Sequence, residues 1–160
     1  MMPSRRVLWG VWSVTLLLSI ALLAWAGTLA FRHWGQTLRA MDANESMPSE
    51  QARQVAENTV RVWMREREAQ HVANLVALTC KSPDASVREE LDDVRSGRVS
   101  AWTPLAAGLF TQKGPLWDVL MYSQVGGSGD PNWYYSAAHF TLVVEEGQLR
   151  VCSIDDVSHT

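Results

Sequence analysis

The longest apolar run in this chain lies near its start: between Arg6 and Arg32 the 25 residues VLWGVWSVTLLLSIALLAWAGTLAF carry no charge. At about 1.5 Å per residue a helix of that length spans roughly 37 Å, enough to cross a hydrocarbon core of about 30 Å with some tilt. Trp9 and Trp12 sit near one end, and Trp25, Phe31 and Trp34 near the other, where interfacial aromatics belong. Residues 7–31 are therefore predicted to form a transmembrane helix. A cleaved signal peptide is the alternative, with Arg5 and Arg6 as its basic start and Ala24-Trp25-Ala26 as a small-x-small site. The apolar stretch before that site is longer than the usual core of about 7–15 residues, which favours the uncleaved anchor. Either way the remainder is exported. Basic residues are balanced across the span, Arg5 and Arg6 against Arg32 and Arg39, so the positive-inside rule does not decide orientation. The short tail, residues 1–6, is the part easily left in the cytoplasm.

Beyond the span, residues 32–48 read as a linker, and AMDANESMP within it is polar and turn-rich. The outer domain is expected over residues 49–160. Ala52, Val55, Ala56, Thr59 and Trp63 recur at helical spacing, and Val72, Leu75, Val76 and Thr79 continue the pattern. The charged REREAQ between them leaves open one bent helix or two. Ser82-Pro83 reads as the N-cap and first residue of a third helix, with Val87, Leu91 and Val94 as its buried stripe and Gly97 as its C-cap.

After Gly97 the period changes from 3.6 to 2. VSAWTPL reads as a short strand interrupted by Pro104, PLWDVLMYSQV and WYYSAAHFTLVV as longer ones, and QLRVCSI as a return strand after Glu146-Gly147. Pairing Glu145 with Gln148 sets Val144 against Leu149 and Leu142 against Val151. Val143, Arg150, Cys152 and Ile154 then fall on the opposite face. Helices followed by an antiparallel meander predict an α+β domain with its helices packed on a curved sheet.

Charge narrows the partners. From Met41 onward there are 17 acidic and 10 basic residues, a formal charge of −7. Such a domain is a poor ligand for nucleic acid, whose phosphates need Lys and Arg. The chain has two cysteines, Cys80 and Cys152. In an oxidising compartment they read as a disulfide closing a long loop, and two separate buried thiols are the alternative. Without CxxC spacing or a nearby histidine they do not make a four-ligand metal site, and no cofactor is implied. Asn44-Glu45-Ser46 fits the glycosylation pattern, which is frequent by chance. His71 stands at the helical junction as a solvent-facing or capping residue, and Asp155-Asp156 as a solvated strand end.

VRVWMREREAQHVANLVALTC and the terminal HFTLVVEEGQLRVCSI, behind a signal anchor, resemble actinobacterial single-pass membrane proteins with a nuclear-transport-factor-like (cystatin-like) outer domain, the Mce-associated type. The resemblance runs through Trp63, Ala69 to Cys80, and Val151-Cys152. It implies a cone of helices against a curved sheet, acting as a scaffold rather than an enzyme. The expectation is thus a non-enzymatic plasma-membrane protein, N-terminus cytoplasmic, whose extracytoplasmic domain binds protein partners of an envelope transport or secretion complex. The alternative is a small-ligand or isomerase-like cone lined by Trp117, Tyr122, Tyr134 and His139. Asp118 and Tyr135 lie on the same strands as those four. A third reading has the anchor pair with other helices through Gly10, Ser13 and Ser19.

Overall fold

The computed structural model describes residues 39–126 and 131–157. The predicted span, residues 7–31, lies outside the described residues. Among the described residues no helix is long and apolar enough to cross a membrane.

Helix α1, Ser49–Glu68, begins after Pro48 and buries Ala52, Ala56, Thr59, Val60, Trp63 and Met64, a stripe at the helical repeat. It stops because Gln70 takes a left-handed φ of 57°. The Ala69 N–H bonds the Arg65 carbonyl, and the His71 N–H reaches back to the Glu66 carbonyl. The REREAQ segment therefore separates two helices. Helix α2, Val72–Ala77, buries Leu75, and Leu78 and Thr79 follow it into the core. Val76, expected on the buried side, is 46% exposed, because the chain leaves α2 within one turn and the Val76 side has nothing to pack on. Helix α3, Ala85–Ser96, is capped by Asp84, whose carboxylate accepts from the Val87 N–H at 3.1 Å. The expected Ser82-Pro83 cap is thus displaced by two residues: Asp84, not Ser82, lies three residues before the first unpaired N–H it can reach. Val87, Leu91 and Val94 form the buried stripe, and Gly97 closes the helix at φ 72°.

The sheet is an antiparallel meander in the order β1-β2-β3-β4: β1 Trp102–Lys113, β2 Leu116–Val125, β3 Tyr134–Glu145 and β4 Gln148–Asp156. β1 continues nine residues past Pro104, where a short strand was expected. Proline is tolerated there because β1 is an edge, and the register slips beside it and again between Ala107 and Phe110. In the β3–β4 hairpin Glu146 and Gly147 both have positive φ, 54° and 75°, the twist-compatible two-residue turn. Glu145 pairs with Gln148, Val144 with Leu149 and Leu142 with Val151, as the alternation requires. A bulge then follows. Ser153 faces Thr141 and Ile154 faces Phe140, so the register moves by one residue at Cys152. Ile154 consequently points into the core at 8% exposure rather than lying on the Cys152 face.

The helices cover one sheet face. Their core joins Trp63, Met64, Leu75 and Leu78 to Trp117, Met121, Phe140, Leu142, Leu149 and Val151. Trp63 meets Phe140 edge-on at 6.2 Å, and its indole N–H donates to Thr79 Oγ1. Residues 40–43, expected as linker, belong to the fold: Ala40 and Ala43 are buried, and the Leu149 N–H donates to the Met41 carbonyl. Further along the same strand, Val151 exchanges backbone bonds with Leu78 and Cys80, each 2.9 Å. The outer edge of β4 is thus covered twice, while among the described residues β1 pairs with β2 alone.

Candidate functional site

The two cysteines meet where the segment following α2 lies against β4. Thr79 bridges Val151 in parallel, the Asp84 N–H donates to the Cys152 carbonyl, and the Cys80 and Cys152 Cα atoms stand 5.2 Å apart, joined as a disulfide. The bulge at Cys152 is what frees that side chain from strict alternation. Asp84 completes the joint: besides capping α3 it accepts from the hydroxyls of Ser86 and Ser153. Burial pushes its carboxyl up, but these hydrogen bonds and the Val87 N–H outweigh that and hold it below the ordinary carboxylate range.

The four residues proposed as a cone pocket are not brought together. Trp117 and Tyr134 belong to the helix-covered face, Trp117 fully buried in the core and Tyr134 half-exposed at the far end of the sheet. Tyr122 pairs with Ala137 and His139 with Leu120, both on the opposite face. The period of 2 puts odd and even positions of β2 on different faces, so Trp117 and Tyr122 could not share one cavity.

His139 does acquire a partner. Its Nδ1 lies 2.7 Å from Asp118 Oδ1, diagonally across β2 and β3, with both side chains about one-third exposed. Such a dyad fixes the imidazole and leaves its other nitrogen for solvent or a ligand. Beside it, Tyr122 lies over Gly108 of β1, where an added Cβ would come within 2.9 Å of its ring. Tyr135 is 66% exposed and meets Trp133 edge-on at 5.1 Å. Together with exposed Leu116 these side chains make the sheet face that no described helix covers rich in apolar surface.

Two polar nodes escaped the sequence reading. Arg67, buried at the end of α1, pairs through Nε with Glu90 of α3, donates from Nη1 to the Ser100 carbonyl at 2.9 Å, and lies 5.1 Å from the Trp102 ring centre. Glu66 is nearly as buried and is held by Asn74, His71 and Arg65. Burial raises the Glu66 carboxyl, and those hydrogen bonds more than reverse it, leaving it below its usual range. His71 is accordingly both exposed and bonded, at the residue preceding α2. The sequence offered no signal for either node, since REREAQ does not tell which of its charges turn inward.

Among the described residues no group of three or more His, Cys, Asp or Glu side chains is placed to hold a metal ion. No protein-family model matches this chain, and neither a curated protein nor a solved structure is significantly similar to it.

Proposed function

We propose that this chain is a non-enzymatic, membrane-anchored accessory or scaffold protein of a cell-envelope transport or secretion complex, binding partner proteins through its outer domain. Residues 7–31 anchor it in the plasma membrane with the N-terminus cytoplasmic, and the domain from Ala40 onward faces outward. Helices against an antiparallel sheet are the layers that a cystatin-like or nuclear-transport-factor-like cone of the Mce-associated type requires. The observation that carries the reading is the uncovered sheet face: Leu116, Tyr122, Trp133 and Tyr135 are all exposed large apolar side chains on or beside it. Large apolar side chains exposed on one sheet face favour a contact site, and tyrosine and tryptophan are the side chains that interfaces favour.

Affinity purification of the full chain from detergent-solubilised native membranes, followed by mass spectrometry, tests this. A stoichiometric partner is expected, lost when Tyr122 and Tyr135 are both changed to Asp. Recovery of no partner at near-stoichiometric yield would sink the reading, and a partner indifferent to both substitutions would remove the sheet face as its contact.

A further inference from the structure

The two edges of the sheet differ. β4 is bridged on its outer side by Asp42 and by Thr79, whereas among the described residues β1 pairs with β2 alone. Pro104 and two register slips blunt the β1 edge, but the charges that natural edges also use are missing. From Trp102 to Gln112 the strand carries none, in a domain whose formal charge from Met41 onward is −7. It presents leucines instead. Leu105 is the extra residue between Pro104, opposite Ser123, and Ala106, opposite Tyr122. Ala107 lies opposite Met121 and Phe110 opposite Val119, so Gly108 and Leu109 together stand against Leu120. Each slip thus contains a leucine, and Leu105 is 47% exposed and Leu109 71%. The two are placed symmetrically about Ala107.

We propose that β1 is an association edge for a second copy of this chain. The strands pair antiparallel about Ala107, so that Leu105 of each copy faces Leu109 of the other. Three features select that occupant. A two-fold contact needs a self-complementary surface, and leucines at equal distances on either side of one residue supply it. Two acidic domains repel, so they approach most readily where neither carries charge, and the uncharged run of β1 is such a place. Finally, with β4 bridged, β1 is the edge a copy has to offer among the described residues. Pairing therefore uses up both open edges and closes at two copies instead of growing. The slips keep the ladder short, and leucine contacts on both sides of Ala107 offset that. Edge pairing leaves the open sheet face free, so the dimer goes beyond the scaffold reading and does not depend on it.

Sedimentation velocity of the full chain in detergent micelles, over a dilution series, tests this. A reversible equilibrium between monomer and dimer is expected. Leu109→Lys acts twice across the two-fold axis and should raise the dissociation constant at least about tenfold. Tyr135→Asp on the open face, and Gly10→Leu in the predicted anchor, should leave it unchanged. Register is read separately, with the native Cys80–Cys152 bond intact. Mild oxidation of a Leu105→Cys, Leu109→Cys double variant should give a covalent dimer. Either single variant should not, because each position faces the other and not itself. Both leucines are exposed, so these substitutions keep the fold. A chain that stays monomeric at every concentration, assembly beyond two copies, or a dimer indifferent to Leu109→Lys would overturn the proposal. Loss of the dimer with Gly10→Leu or Tyr135→Asp would do the same, moving the contact to the anchor or the open face. Crosslinking by a single cysteine variant as readily as by the double one would overturn the pairing about Ala107.

Discussion

Asp84 shows how much one side chain can hold together. It caps α3, accepts from two serine hydroxyls, one of them on β4, and lies four residues from the disulfide. Replacing it with Ala should lower stability by about 1–2 kcal/mol, the upper range for a helix cap, measured as a shift in the urea midpoint. Its carboxyl and that of Glu66 are both held below the ordinary range, so the unfolded chain binds the extra protons and stability rises with pH. That contribution is complete above about pH 5, where the unfolded carboxylates are nearly all ionised, and drains away as pH falls through the lower folded values. An Asp84→Asn, Glu66→Gln double variant should therefore show a flatter acid limb in urea titrations at successive pH values. An unchanged acid limb would show that these two groups do not govern it. Arg67 acts at the same scale. Its replacement by Ala leaves Glu90 facing an emptied site, and a loss of about 3 kcal/mol is expected, the low end for a broken buried pair because Glu90 keeps some solvent. None of these roles was legible beforehand. Ser82-Pro83 satisfies the cap pattern as well as Asp84 does, and the choice falls on reach to the Val87 N–H, which depends on how α3 docks.

At the scale of elements, legibility followed the strength of local rules. The β3–β4 hairpin was readable because Glu146-Gly147 fixes the turn and apolar alternation fixes the register. It failed at Ile154, where one bulge residue inverts the faces, and nothing in QLRVCSI announces a bulge. β1 was missed past Pro104 for a related reason. It is an edge strand with two register slips, so AAGLFTQK does not alternate. Gly108 is the residue that makes this strand intelligible, since the Tyr122 ring and the Leu120 side chain occupy the space above it. Gly108→Ala should cost about 1–3 kcal/mol through overpacking, and most of that should return when Tyr122 is also changed to Ala. A double-mutant cycle on thermal or urea unfolding reads the coupling directly. Zero coupling would mean that the ring moves aside freely and that Tyr122 is not fixed by β1. The same geometry explains why the expected four-residue pocket dissolved: alternation assigns Trp117 and Tyr122 to different faces, and a list of aromatic residues is blind to that.

For the whole molecule the question is what ties helices to sheet, because the meander itself is local in sequence and the helices precede it. Among the ties that do so are the shared core around Trp63 and Phe140, the backbone pairing of Leu78 to Cys80 with Val151, the Asp84–Ser153 hydrogen bond and the covalent joint at Cys80–Cys152. The cysteines are separated by 72 positions, so their bond removes a large share of the unfolded chain's freedom. In the chain-entropy account it is worth about 4 kcal/mol, a large part of the stability of a domain this size. Of the long-range features this one was legible in advance, because a segment expected to be exported, with two cysteines, offers a single pairing. Cys80→Ser with Cys152→Ser should therefore unfold at a markedly lower urea concentration than the parent. Reduction of the parent should bring it to the same midpoint, since both treatments delete one crosslink and little else. The bond also reports on the compartment. In intact cells a membrane-impermeant maleimide should fail to label either cysteine until a reductant is added, and then label the part-exposed Cys152. Labelling without reduction would mean free thiols, and absence of labelling on reduced intact cells, with labelling once the cells are lysed and denatured, would place the domain on the cytoplasmic side, against the proposed topology.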